Sequence, residues 1–230
     1  MRALEAVGRF VLDLLFPLRC LGCGEEGEII CEMCRRRLLR ISPPFCPKCG
    51  KPLLREGICG ECYRERAFDG MRSALFFAGL AREAVHRLKY GGIKALADPL
   101  GDMLTECFLR FAIPADVVVP VPLHPKKLRE RGYNQAGLLG RRMARNLGLP
   151  LDDRTLIKTR ETPPQVGLSR EERLRNVKGA FACRDGALAG RRVVLVDDVI
   201  TTGATAEACA EALRRGGASS VWIFSLAREI

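Results

Sequence analysis

Eight of the chain's eleven cysteines fall into four Cys-x-x-Cys pairs within residues 20–62: Cys20/Cys23, Cys31/Cys34, Cys46/Cys49 and Cys59/Cys62. Two cysteines separated by two residues can place both sulfurs on one metal from a tight turn, and two such turns complete a tetrahedron. Gly24, Gly50 and Gly60 supply permissive backbone beside these pairs. The segment is short and holds few large apolar residues, so hydrophobic burial alone cannot fold it and metal must. Knuckle spacing repeated twice predicts two structural Zn²⁺ sites with no open coordination position. Sequential pairing, the first four cysteines on one ion and the last four on the other, is the simplest; a crossed pairing meets the same count. Spacing alone does not separate zinc from an iron–sulfur cluster, while four disulfides would require an oxidising compartment. Cys107, Cys183 and Cys209 sit among apolar or helical neighbours and read as buried small hydrophobes.

The composition shifts near Arg64 to Phe68. This predicts an N-terminal helix and double zinc ribbon over 1–66, and an α/β domain over 67–230. Residues 1–18 resemble a signal peptide only superficially: Glu5, Arg9 and Asp13 interrupt them and no cleavage site follows. Leu4, Val7, Val11, Leu14 and Leu15 instead predict a short amphipathic helix. No stretch is long and apolar enough for a membrane span, and the composition suits a cytoplasmic protein. Strands are expected at 72–78, 116–121, 156–158, 193–197 and 220–226, and helices at 80–90, 95–111, 134–147, 169–176 and 206–214.

Residues 193–205 read VVLVDDVITTGAT. Four apolar residues suit a strand buried on both faces. Asp197 and Asp198 follow where that strand should leave the sheet. Thr201, Thr202, Gly203, Ala204 and Thr205 then form a small, hydroxyl-rich turn into a helix. Turn amides and the helix dipole converge on one point, an anion site, and Gly203 permits close approach. Paired carboxylates suit the donors of a ribose diol rather than a phosphate. A ribose 5-phosphate is the implied ligand. The Gly-Lys-Ser/Thr ending of a P-loop is absent, which excludes that class of nucleoside triphosphatase.

This run resembles the phosphoribosyl pyrophosphate (PRPP) signature of type I phosphoribosyltransferases. The resemblance implies that Asp197 and Asp198 contact the ribose hydroxyls, that Thr201 to Thr205 cradle the 5-phosphate, and that Mg²⁺ accompanies PRPP. The fold class expected is therefore α/β, a type I phosphoribosyltransferase-like parallel sheet flanked by helices, here preceded by the cysteine-rich ribbon that the Cys-x-x-Cys pairs predict.

A second segment, PVPLHPKKLRERGYNQAG (residues 120–137), follows the strand at 116–121. His124, Lys126, Lys127, Arg129 and Arg131 concentrate donors and positive charge at the sheet's carboxyl edge, where open α/β sheets bind ligands. A basic loop for pyrophosphate beside a ribose-phosphate site is the expectation. The polar stretch 158–178 is too long for a tight connection, and such loops are usually functional. Net charge is +11, with seven basic residues and one acid between His124 and Leu147. This favours polyanionic partners, although one Trp and three Tyr give no long stacking platform.

VPVPLH, Arg131-Gly132-Tyr133-Asn134-Gln135 and the cysteine ribbon together resemble the competence-protein-F (ComF) family. So do LLFP before the first cysteine, Lys89-Tyr90-Gly91, Thr162, Gln165, Arg173, Asn176 and Phe181. The resemblance implies a role in DNA uptake during natural transformation. PRPP and single-stranded DNA are the implied partners, with a DNA-uptake helicase or recombination proteins as further candidates. It places a mobile flap at 158–178, with Arg160, Gln165 and Arg173 facing ligand. The alternative is an active phosphoribosyltransferase that transfers to a base or small nucleophile and releases pyrophosphate. Because the sequence stops soon after the last expected strand, any hood over a nucleobase is expected from the N-terminal ribbon.

Overall fold

A computed structural model of the chain describes residues 18–163 and 169–229. The helix expected within residues 1–18 lies outside the described residues. Four strands form a parallel sheet in the order β1 (Gly70–Phe76), β6 (Ser220–Arg228), β5 (Arg192–Ile200), β2 (Val117–Pro120). Val193, Leu195, Val221 and Ile223 face helix α7 (Ala204–Arg215), whose small Ala206, Ala208 and Ala210 let it approach closely. Val194, Val196 and Phe224 face α3 (Ala97–Leu109) and α5 (Gln135–Leu147). Burial on both faces is why Val117–Val119 of β2 and Val193–Val196 of β5 read as unbroken apolar runs. Each fully buried Val or Leu contributes about 1.5–3 kcal/mol.

The chain leaves β2 for α5 on one face and leaves β5 for α7 on the other. A crevice therefore opens at the adjacent carboxyl ends of β2 and β5, paired from Val117↔Val193 to Pro120↔Val196. Asn134 fixes the route on the β2 side: its side chain accepts from Ala136 N at 3.1 Å as N-cap, and donates to Val121 O at 3.0 Å.

Most expected elements are present with shifted ends. The instructive difference concerns β5, which continues to Ile200 because β6 also runs on, to Arg228, and keeps it paired. Asp197 and Asp198 thus lie inside the strand, Asp197 opposite Ser225, rather than where it leaves the sheet. Only β2 has ended there, so the acids overlook its terminus.

The ribbon segment, which includes the short helix α1 (Glu32–Arg36), covers the outer edge of β1. Ile41 N donates to Ala74 O at 3.1 Å, Phe76 N to Leu39 O at 2.9 Å and Met71 N to Lys48 O at 2.8 Å. A Cβ on Gly50 would sit 2.5 Å from Met71 O, so this approach requires glycine. Arg72 seals the seam: its guanidinium lies 4.8–5.3 Å from the ring centroids of Phe111, Phe45 and Trp222.

A two-stranded antiparallel ladder, β3 (Leu156–Lys158) with β4 (Phe181–Cys183), brackets the long polar stretch. Its helix α6 (Arg170–Val177) starts with a capping box, Ser169 with Glu172, as the sequence suggests. Two further helices, α2 (Gly79–Tyr90) and α4 (Pro125–Arg131), stand at the ends of β1 and β2. Among the described residues no helix is long and apolar enough to cross a membrane.

Candidate functional site

The acid pair sits in the sheet's crevice, with Asp197 8% and Asp198 3% exposed. Asp197 Oδ1 accepts from Asp198 N at 2.8 Å. Burial, reinforced by the neighbouring Asp198 charge, pushes the Asp197 carboxyl well above the usual carboxylate range. Asp198 has a cation of its own: Lys89, from the end of α2, places Nζ 2.5 Å from Oδ2. Burial works against the Lys89 charge, but the Asp198 carboxylate outweighs it and raises the ammonium above its ordinary value.

The loop after β5 turns at Gly203, with φ +79°, directly into α7. Thr202 Oγ1 accepts from Ala204 N at 3.3 Å and so serves the helix start; its side chain is not part of the cleft wall. Thr201, Gly203, Ala204 and Thr205 line a cleft of about 660 Å³ that also holds both acids. Helix-start amides and carboxylates therefore converge on one space, an anion site beside an acceptor site for hydroxyls. An L-residue at φ +79° is strained by about 1–2 kcal/mol, so Gly203→Ala is expected to distort this loop. In isothermal titration calorimetry we expect at least a fivefold loss of PRPP affinity for that variant; an unchanged affinity would show that the turn is not part of the phosphate cradle.

The basic loop divides. α4 is exposed from Pro125 to Glu130, and only Arg131 is half-buried. Lys127 and Arg131 border a recess that adjoins the cleft through Lys89. Arg131 also donates to Gln135 Oε1 at 2.5 Å and lies 5.2 Å from the Tyr90 ring centroid, while Gln135 lines the cleft itself. His124 accepts from Lys126 N at 3.4 Å as the helix cap and faces a separate groove; Lys126 pairs with Glu161 at 3.1 Å. Arg129 is exposed and lines none of these spaces.

On the polar stretch, Arg173 lines the cleft. Arg160 instead donates to the carbonyls of Asn176 and Lys178 at 3.0 and 3.1 Å, which ties the base of the segment. Gln165 lies outside the described residues. Lys158, at the end of β3, lines the cleft although spacing did not single it out; nothing local in the sequence distinguishes a strand-end lysine of this kind.

Among the described residues, none from the ribbon lines this cleft. The ribbon packs behind the loop that follows β5, where Cys49, Lys51 and Glu61 share a small cavity with Thr201 and Thr202. The need to cover the β1 edge explains that placement.

Sulfurs of Cys20, Cys23, Cys31 and Cys34 lie within 4.8 Å of one another, as do those of Cys46, Cys49, Cys59 and Cys62. The pairing is sequential, and all eight thiols are free of disulfides. The donor set fits tetrahedral zinc. Burial, followed by the crowding of neighbouring sulfurs, pushes the Cys34 thiol up to about 12. Four sulfurs gathered in one place form a complete donor set for a divalent cation. Two structural zinc sites are consistent with this geometry. In the second cluster every cysteine is buried, whereas Cys23 of the first is exposed.

A double zinc ribbon domain is matched over residues 11–63, and a phosphoribosyl transferase domain over residues 135–229. Over 218 residues the chain is 32% identical to the DNA utilization protein YhgH of Escherichia coli, covering 91% of this chain and 94% of that one. It is 30% identical over 227 residues to Competence protein F of Haemophilus influenzae, covering 93% and 98%. For Competence protein ComFC of Bacillus subtilis the identity is 30% over 219 residues, covering 91% and 88%. Among solved structures, a glutamine PRPP amidotransferase from B. subtilis aligns with a TM-score of 0.43 at 25% identity, over 62% of this chain and 30% of that one.

Proposed function

The chain belongs to the family of competence protein F and the DNA utilization proteins, a double zinc ribbon joined to a phosphoribosyltransferase domain, and from this we propose that it is a cytoplasmic PRPP-binding protein that grips single-stranded DNA during DNA uptake. The observation that carries the reading is the convergence of Asp197, Asp198 and the start of α7 on one cleft. The loop amides and the hydroxyls of Thr201 and Thr205 hold the 5-phosphate, and the acid pair accepts from the ribose hydroxyls. Diphosphate extends toward the cations on α4. Mg²⁺, which hard oxygen donors suit, accompanies that diphosphate and supplies charge neutralisation. A helicase or recombination protein of the uptake machinery is the proposed macromolecular partner.

The cationic α4 supports the nucleic-acid half of the proposal, because Lys126, Lys127 and Arg129 are exposed on it and offer positive charge to backbone phosphates. Each neutralised phosphate releases a counterion, so affinity for single-stranded DNA should fall steeply with salt. Changing these three residues to Gln is expected to flatten the slope by roughly two units, at about 0.7 per lost contact. Fluorescence anisotropy across a salt series measures this, and added PRPP should compete if both ligands use the same basic cleft. A protein that binds no single-stranded DNA at low salt, yet releases pyrophosphate with a small base, would establish the transferase reading instead.

A further inference from the structure

Lys89 is a largely buried cation on a helix remote in sequence from the acids it meets. The buried face of α2, with Ala81, Ala84, Val85 and Leu88, holds the helix against the sheet. Tyr133, from the segment between α4 and α5, donates its hydroxyl to the Leu88 carbonyl and pins the turn that carries Lys89. The ammonium then sits 2.5 Å from Asp198 Oδ2, at ion-pair distance. Lys89 also stands between two spaces. On one side is the cleft with both acids, and on the other the recess bordered by Lys127 and Arg131.

A buried carboxylate needs a partner when the crevice is empty, and a ribose diol needs that same carboxylate as acceptor when it is filled. We propose that Lys89 is an exchangeable counter-ion: it neutralises Asp198 in the free protein, and on binding it releases that carboxylate to the ribose and passes to the diphosphate of the same ligand. The inference rests on the PRPP reading and adds to it a cation that links the ribose and diphosphate ends of the site. Lys89 contributes selectivity for ligands that carry a 1-diphosphate, because only they offer the displaced ammonium a new anion. Ribose 5-phosphate takes Asp198 and leaves Lys89 without one.

The test compares PRPP with ribose 5-phosphate, both with Mg²⁺, by calorimetry on the full chain. Lys89→Gln is expected to reduce the preference for PRPP over ribose 5-phosphate by about tenfold, as expected for one lost charge-assisted contact. Lys89→Arg should restore most of that preference. If Lys89→Gln fails to fold, Lys89→Met combined with Asp198→Asn removes both charges, and the same loss of preference is expected. A residue that merely props up Asp198 would weaken both ligands equally; that result, or no change in the ratio, overturns the proposal. Wild-type protein that binds neither ligand overturns the PRPP reading and this inference together, whereas tight wild-type PRPP binding with an unchanged Lys89→Gln ratio overturns this inference alone.

Discussion

Replacing Cys46 by serine is expected to empty the second metal site and lower the thermal midpoint by on the order of 10 °C. Cys46 is fully buried and its sulfur accepts from Cys59 N at 3.5 Å, so its loss removes a ligand and an anchor of the facing knuckle. Structural zinc contributes about 10–16 kcal/mol in isolated finger peptides. Much less is lost here, because the sheet behind the ribbon has its own core. Cys23→Ser, at the exposed corner of the first cluster, should cost less. Elemental analysis should find about two zinc per chain in the wild type and about one in Cys46→Ser. Iron–sulfur absorbance in the wild type, or equal melting of all three proteins, would sink the assignment.

PRPP at about 100 times its dissociation constant should stabilise the wild type by about 2.7 kcal/mol, or roughly 5–10 °C at this chain length. Asp197→Asn with Asp198→Asn is expected to abolish that shift. The single variants should differ before any ligand is added. The Asp197 carboxyl is driven toward its neutral form by burial and by Asp198, so an amide of the same shape costs little. Asp198→Asn leaves Lys89 buried without its partner and should cost more. Melting curves with and without PRPP test both statements, and an equal ligand shift in wild type and double variant would show that the ribose lies elsewhere.

The two central-crevice strands were legible because burial on both faces leaves an uninterrupted apolar run, Val117–Val119 in β2 and Val193–Val196 in β5. The neighbouring ends of β2 and β5 were legible for the same reason, together with the chemistry that follows each. The position of Asp197 within its strand was not, since it depends on how far β6 continues alongside, a matter of pairing rather than local pattern. Cysteine spacing predicted two sites, but only the fold distinguishes sequential from crossed pairing. Charge density drew attention to all of 124–131. The αL turn at Gly132 and the Gln135 contact bring Arg131 toward the cleft, while Arg129 remains in solvent. Lys158 joins the site through tertiary folding alone, and Lys89, although part of the Lys-Tyr-Gly motif, acquires its partner the same way.

The antiparallel seam between Leu39–Ile41 and β1 links metal supply to solubility. With the ribbon folded, the outer N–H and C=O groups of β1 are paired within the chain. A molecule that never receives its second metal presents that edge bare, beside Leu75 and Met71, as a template on which another chain can add a strand. The same ions that fold the ribbon thereby protect the sheet from pairing with a second chain, and metal-free protein is expected to scatter more light on standing than the zinc-loaded form.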